Sequence, residues 1–224
     1  MNWILNIDTA VQSASVCLAV DGEAVDTVIN PSPKDQAAWL HIAIQQLLKE
    51  NNISLQQLSA IAISAGPGSY TGLRVGMAAA KGLCYALHIP LITISTLKMM
   101  AAAAMAEPTE LLCPMIDARR MEVFTAIYDK QLKEIAAPHN IILTEDSLTE
   151  FLDQHTITFF GNGSNKFQAV CHHPNAIFKH IETTAVHLTT LSYFCFQQQQ
   201  FADLAYCEPY YGKAFYSPTP KKII

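Results

Sequence analysis

The sequence predicts an α/β protein of two lobes in which one strand-rich pattern occurs twice. Three observations point there. Strand patterns lead and a helix, a strand and further helix follow, and then the order restarts near residue 111. An Ile-Asp pair closes the leading strand of each half, Ile7-Asp8 and Ile116-Asp117. A glycine-containing turn leads from strand to helix in each half, Gly66-Pro67-Gly68-Ser69 and Gly161-Asn162-Gly163-Ser164. The offsets between the paired echoes agree loosely, as a duplication carrying insertions leaves them.

The elements follow in order. Residues 3–7 form a strand ending at Asp8. Residues 15–20 and 24–29 are two more, joined by the turn Asp21-Gly22. Residues 30–34, with Pro31 and Pro33, form a loop. Residues 35–50 are amphipathic, with Leu40, Ala43, Ile44, Leu47 and Leu48 on one helical face. Residues 59–64 are a short apolar strand. Residues 71–87 are helical, capped by Ser69 or Thr71. A strand at 91–94 precedes a helix running to about 106. The second half has strands at 111–116, 121–129 and 132–137, a short helix at 147–154, a strand at 157–160 and a long helix at 184–201. The tail, with Pro209, Pro218 and Pro220, is irregular.

Short consecutive hairpins make the leading strands antiparallel, and a strand reached through a helix joins them in parallel. That is the ribonuclease-H-like arrangement, used twice in the actin, Hsp70 and sugar-kinase (ASKHA) group. The expected lobes are 1–104 and a smaller, degenerate 105–224, whose helix at 184–201 packs back on the first lobe. In such folds nucleotide phosphates sit between the lobes. The turns Asp8-Thr9 and Asp117-Ala118 are expected to face that cleft.

Composition narrows the function. Half of the 224 residues are hydrophobic and only 15% are charged, against about 25% in an average soluble domain. A surface so poor in charge suits a protein that works against a partner. The net charge is −5, with no basic arm or stripe, so a nucleic acid would need cations from another subunit. No apolar run approaches the length of a membrane span, and the N-terminus lacks a cationic start. The expectation is a cytoplasmic protein without membrane contact. Cys17, Cys84, Cys113, Cys171, Cys195 and Cys207 form no C-x-x-C pair and read as reduced apolar residues. Cys171-His172-His173 matches no zinc spacing, and no metal is expected.

Residues 66–76, Gly66-Pro67-Gly68-Ser69-Tyr70-Thr71-Gly72-Leu73-Arg74-Val75-Gly76, admit three readings. A glycine-rich turn before a helix presents free N–H groups to a phosphate, although no Gly-Lys-Ser/Thr follows. Gly72 and Gly76 are four apart and share a face with Ala79, Ala80 and Leu83, a small-residue stripe suited to a helix of another chain. Glycine inside a helix costs about 1 kcal/mol against alanine, so close packing must offset it. The third reading places that packing on the chain's own sheet. The preceding helix, with Ala37, Leu40, His41 and Ile44, adds to a candidate partner surface.

Three segments now combine: Ile4-Leu5-Asn6-Ile7-Asp8-Thr9, the 66–76 stretch, and Asp117-Ala118-Arg119-Arg120-Met121-Glu122-Val123-Phe124. In order and spacing they resemble the bacterial TsaB (YeaZ) family, over the whole chain. The resemblance implies an actin/Hsp70-like two-lobed fold and a role in placing threonylcarbamoyl on the adenosine beside the anticodon of tRNAs that read codons starting with A. It implies a non-catalytic scaffold, pairing with a catalytic paralogue, TsaD, and working with the ATPase TsaE. It implies pairing through the two N-lobe helices, as a homodimer when the partner is absent. ATP belongs to the complex rather than to this chain, which is expected to hold no cofactor.

The residues agree with a non-catalytic chain. The catalytic paralogues carry an H-x-x-x-H metal pair in the N-lobe, and no His pair at i, i+4 occurs anywhere here. His41 reads as a helix-surface residue. There is no G-x-S-x-G elbow, so a peptidase lacks its nucleophile. Arg119 and Arg120 are read either as part of a salt-bridged hairpin or, with Arg74, as contacts to a partner or to tRNA. The rival reading is a small ATP-dependent enzyme of the same fold, using Asp8, Thr9 and Asp117 in the cleft.

Overall fold

The computed structural model describes residues 1–11, 13–32 and 35–212. Pro33, Lys34, Pro218 and Pro220, part of the loop and tail expected from the sequence, lie outside them.

Two five-stranded sheets form the frame. The first orders its strands β3-β2-β1-β4-β5, from β1 (Trp3–Asp8), β2 (Ser15–Val20), β3 (Glu23–Ile29), β4 (Leu58–Ser64) and β5 (Leu91–Ile94). Strand β1 pairs antiparallel with β2, Leu5 opposite Leu18, and parallel with β4, Leu5 opposite Ile61. The second orders its strands β10-β9-β6-β7-β8, from β6 (Leu111–Asp117), β7 (Glu122–Tyr128), β8 (Glu134–Ile142), β9 (Ile157–Phe160) and β10 (Ala176–Phe178). Here too the leading strand, β6, lies between an antiparallel hairpin partner and a parallel strand. The same plan is therefore built twice.

Helices α1 (Gln36–Glu50) and α2 (Tyr70–Leu87) cover the outer face of the first sheet, and α3 (Thr96–Ala103) lies between the sheets. Two short helices, α4 (Thr149–Leu152) and α5 (Ser164–Gln168), serve the second sheet. Ser69 caps α2, its Oγ accepting from Gly72 N at 3.2 Å, and His88 ends it in the left-handed region at φ 56°. Apolar residues cluster on both sides of each sheet: Leu5, Ile7, Leu18, Leu40, Ile44, Ile61 and Ile63 beneath α1 and α2, and Ile4, Ile92, Leu97, Phe124 and Phe160 between the lobes.

The expected helix at 184–201 divides. A 3₁₀ turn at Ala185–Leu188 precedes α6 (Thr189–Gln197). The turn is drawn onto the first sheet because Ala185 N donates to the buried Ser15 Oγ at 2.8 Å. Helix α6 then lies on β1 and β5, where Ser192 Oγ donates to Asn6 Oδ1 at 2.7 Å with both residues fully buried. Beyond Gln199, left-handed at φ 54°, the chain leaves the helix as a strap. Ala202 N donates to Leu91 O at the edge of β5, and Tyr210 N to Ala65 O. Gly66 is left-handed, at φ 115°, and the Tyr210 carbonyl occupies the space a side chain would need.

Candidate functional site

The sequence expects Asp8-Thr9 to face a cleft, and these two residues do not. Asp8 and Thr9 are fully buried. Asp8 Oδ1 accepts from Ser64 Oγ at 2.5 Å and from Ala10 N at 3.0 Å, while Oδ2 has no partner. Burial raises its pKa to about 6 against those two hydrogen bonds. Thr9 Oγ1 donates to Gly72 O at 2.7 Å, and Ala10 O accepts from Ser69 N. The Thr9 hydroxyl and the Ala10 N–H and carbonyl are thus spent on the chain itself.

The same packing decides among the readings of the glycine stripe. A side chain on Gly72 would collide with the Thr9 carbonyl, and one on Gly76 with Thr9 Oγ1 and, at 2.9 Å, Ile63 Cδ1. Gly72, Gly76, Ala79 and Ala80 are buried against their own sheet, as are Leu40 and Ile44 on α1. These six of the expected interface residues therefore offer no surface to another chain. Leu83 is half-buried, and Ala37 and His41 are exposed. The glycines are small because the β1 turn passes beneath them.

The outward faces of the two helices carry different residues. On α2, Thr71, Ala78, Gly82, Tyr85 and Ala86 are exposed, with Val75 partly so. On α1, Ala37, Ala38, His41, Ile42 and Gln45 are exposed. Ile42 is 65% exposed and Tyr85 75%. These positions recur at three- and four-residue steps, so each set is one face. A groove of about 440 Å³ lies where the N-terminal halves of α1 and α2 meet, lined by Gln36, Ala38, Ser69, Thr71 and Val75. Sequence periodicity marks the inward stripe strongly. The outward one shows only as a shortage of charge: from Thr71 to Leu87 the sole charged residues are Arg74 and Lys81.

Asp117 ends β6 in the open. Its Oδ1 lies 2.6 Å from Lys166 Nζ on α5 and accepts from Arg119 N at 2.6 Å. Burial pushes its pKa up, but Lys166 and the Arg119 N–H outweigh it and hold the carboxyl below its usual value. Nothing in the sequence marks Lys166, 49 residues on, as its partner. Arg119 and Arg120 are both left-handed, at φ 70° and 49°. Glu122 N to Arg119 O and Ala118 N to Glu122 O close the turn. Two such residues that are neither Gly nor Asn cost of order 1 kcal/mol apiece. Both side chains are exposed.

Arg74, exposed on α2, is held on two sides. Its guanidinium stands 4.1 Å over the Tyr70 ring, and Nε donates to Tyr211 Oη at 3.1 Å. The Tyr211 hydroxyl and both rings hold Arg74 in its charged form. Lys81, one face along, is used up on the strap, donating to Ala205 O and Cys207 O.

A cavity of about 640 Å³ does lie between the lobes, lined by Val11, Met100, Asn162, Ser164, Phe178 and Thr184 among others. Asp8, Thr9 and Asp117 are not in its wall. The two carboxylates expected to share it are thus separated, one sealed in the core and one tied to Lys166. Among the described residues no group of three or more His, Cys, Asp or Glu could hold a metal ion, and no helix is long and apolar enough to cross a membrane.

The family described as TsaD, tRNA N6-adenosine threonylcarbamoyltransferase, matches residues 31–218. A Pseudomonas aeruginosa crystal structure, of an uncharacterized protein with similarity to peptidase YeaZ, superposes with a TM-score of 0.84 at 25% identity, covering 95% of this chain and all of that one. The tRNA threonylcarbamoyladenosine biosynthesis protein TsaB of Bacillus subtilis is 32% identical over 145 residues, and that of Escherichia coli K12 37% over 129. The chain belongs to the TsaD family, as a TsaB (YeaZ) member. The matched stretches span 63% and 55% of those two TsaB relatives, and 63% and 57% of this chain. Likeness to the polyphosphate/ATP-glucomannokinase of Arthrobacter, a TM-score of 0.50 at 12% identity, concerns the fold alone. It fits the duplicated sugar-kinase-like plan expected from the sequence. In this TsaB chain the plan persists while the β1 turn is sealed beneath α2.

Proposed function

We propose that this chain is the non-catalytic scaffold of the cytoplasmic assembly that installs threonylcarbamoyl on the adenosine beside the anticodon of tRNAs reading codons that start with A. It supports the catalytic paralogue TsaD together with the ATPase TsaE, which consumes the ATP, and pairs with itself when TsaD is absent. The observation that carries the reading is the outward face of α1 and α2. Two adjacent helices there present Ala38, Ile42, Val75, Ala78, Gly82 and Tyr85, almost free of charge. Family membership supplies the chemistry, since the TsaB relatives are named for that tRNA modification. The sealed Asp8–Thr9 turn and the Lys166-bound Asp117 disfavour the rival ATP-dependent enzyme.

Co-purification with the TsaD protein of the same organism tests the reading. The wild-type chain gives a one-to-one complex by light scattering and a dimer when alone. An Ile42→Arg, Ala78→Glu variant, altered only at exposed positions, melts like the wild type and forms neither. A variant that still binds TsaD removes the interface from these helices, and a wild-type chain that binds no TsaD removes the scaffold reading itself. Gly76→Leu is the wrong probe, because it would strike Thr9 inside the chain.

A further inference from the structure

Arginine is scarce here. The chain has three, Arg74, Arg119 and Arg120, and none forms an ion pair among the described residues. That is unusual in a chain with 19 acidic residues, and each is kept outward by a specific device. Arg74 is exposed and clamped between Tyr70 and Tyr211. Arg119 and Arg120 hold the two left-handed positions of one turn, where their side chains stand clear of the sheet. The strap joins the two places. Tyr211 holds Arg74, and the next residue, Gly212, lies against the Phe124 ring on β7, the strand that leaves the arginine turn. Tyr210, the preceding residue, is 49% exposed.

We infer that these arginines form one contact surface for the phosphodiester backbone of RNA, bridging the lobes along the strap, with Tyr210 as a stacking face. The inference rests on the tRNA-modifying role proposed above, and it assigns to this chain a direct share in holding the RNA. The chemistry favours RNA over an acidic peptide. Guanidinium groups bind phosphate oxygens through paired N–H donors, and exposed tyrosine rings between cations suit bases and sugars. Arg74, whose charge faces two tyrosines rather than a carboxylate, gives up no ion pair on meeting the RNA, whereas Arg119 already feels the Asp117 carboxylate.

The test measures binding of a fluorescein-labelled tRNA transcript between 50 and 200 mM salt. It uses the full chain alone and the chain co-purified with TsaD. Each phosphate contact contributes about 0.7 to 0.9 to the slope of log K against log salt. Arg74→Gln is expected to weaken binding roughly threefold to tenfold and to lower the slope by about one contact. Arg119→Gln with Arg120→Gln is expected to lower it by about two. Arg74→Lys keeps the slope, Tyr211→Phe loses affinity without changing it, and Lys49→Gln, on the exposed side of α1, does neither. Unchanged slopes in the arginine variants overturn the inference. So does loss of the TsaD complex in those variants, which would make the arginines protein contacts. A wild-type chain that binds no TsaD defeats the scaffold role instead, and the slopes of the chain alone still decide the inference.

Discussion

A single carboxyl shows how the fold has spent its inherited polar residues. Asp8 is fully buried with a pKa of about 6, against 3.8 for a free aspartate. The folded state therefore binds its proton more tightly than the unfolded chain. The stability this brings is complete below pH 4 and is lost as pH rises through 6, when the charge must be carried inside the core. Unfolding by urea at pH 5 and pH 8 should show the wild type losing roughly 1.5 kcal/mol from this group. Asp8→Asn, which keeps an acceptor for Ser64 and Ala10, should flatten that loss and be more stable than the wild type at pH 8 than at pH 5. A pH dependence identical in both proteins would mean that Asp8 is ionised in the fold. The sequence places Asp8 correctly at the end of a strand. It cannot say which way the turn folds, because Asp-Thr-Ala suits an open phosphate loop and a sealed turn equally. The choice rests with the Gly72 carbonyl, 63 residues away.

At the scale of the element, α2 carries the sharpest contrast. Its three glycines look alike in the sequence and stand in different surroundings. A methyl group at Gly76 would meet Thr9, whereas at Gly82 nothing lies within 4 Å. Gly76→Ala should cost at least 2 kcal/mol, because both neighbours are held in the core. Gly82→Ala should add about 0.5 to 1 kcal/mol of helix propensity. Thermal melts of the two variants check this, and equal effects would contradict the packing. Periodicity made α1, α2 and most strands legible to within a residue or two. The three-residue β10 is too short to hold a pattern, and the turn at residues 161–164 announces a helix without giving the five-residue length of α5. The helix at 184–201 was found but not its division, which depends on Ser15 in the other half. Of the candidate interface, the two helices were legible and the outward faces were not. Hydrophobic spacing reports what a helix buries within its own chain, and a second apolar face leaves no separate period.

For the whole molecule, the decisive contacts run between the ends of the chain. Ser192 to Asn6 and Ala185 to Ser15 join residues 186 and 170 positions apart, all within the core. Ser192→Ala would leave the Asn6 carbonyl oxygen buried without that donor, at about 1 to 3 kcal/mol. Both lobes should lose stability together, because α6 and the 3₁₀ turn pack between them. Urea unfolding followed separately by the fluorescence of Trp3 and Trp39, both in the first lobe, and by far-UV circular dichroism should give coincident transitions shifted to lower denaturant. A shift in one signal alone would show lobes that unfold independently. The duplicated plan was visible in the sequence through Ile7-Asp8 and Ile116-Asp117, but the clasp between the copies was not. Serine and asparagine in apolar runs carry no mark of their partner.

The placement of β1 at the centre of the first sheet has a consequence for biosynthesis. This strand leaves the ribosome long before the 3₁₀ turn and α6, which pack on it and cover Asn6. Until they emerge, that apolar face of the nascent first lobe lacks their cover, and the Asn6 carbonyl oxygen lacks the Ser192 donor. Chains stalled or truncated before residue 185 should therefore be the species that chaperones retain and proteases remove.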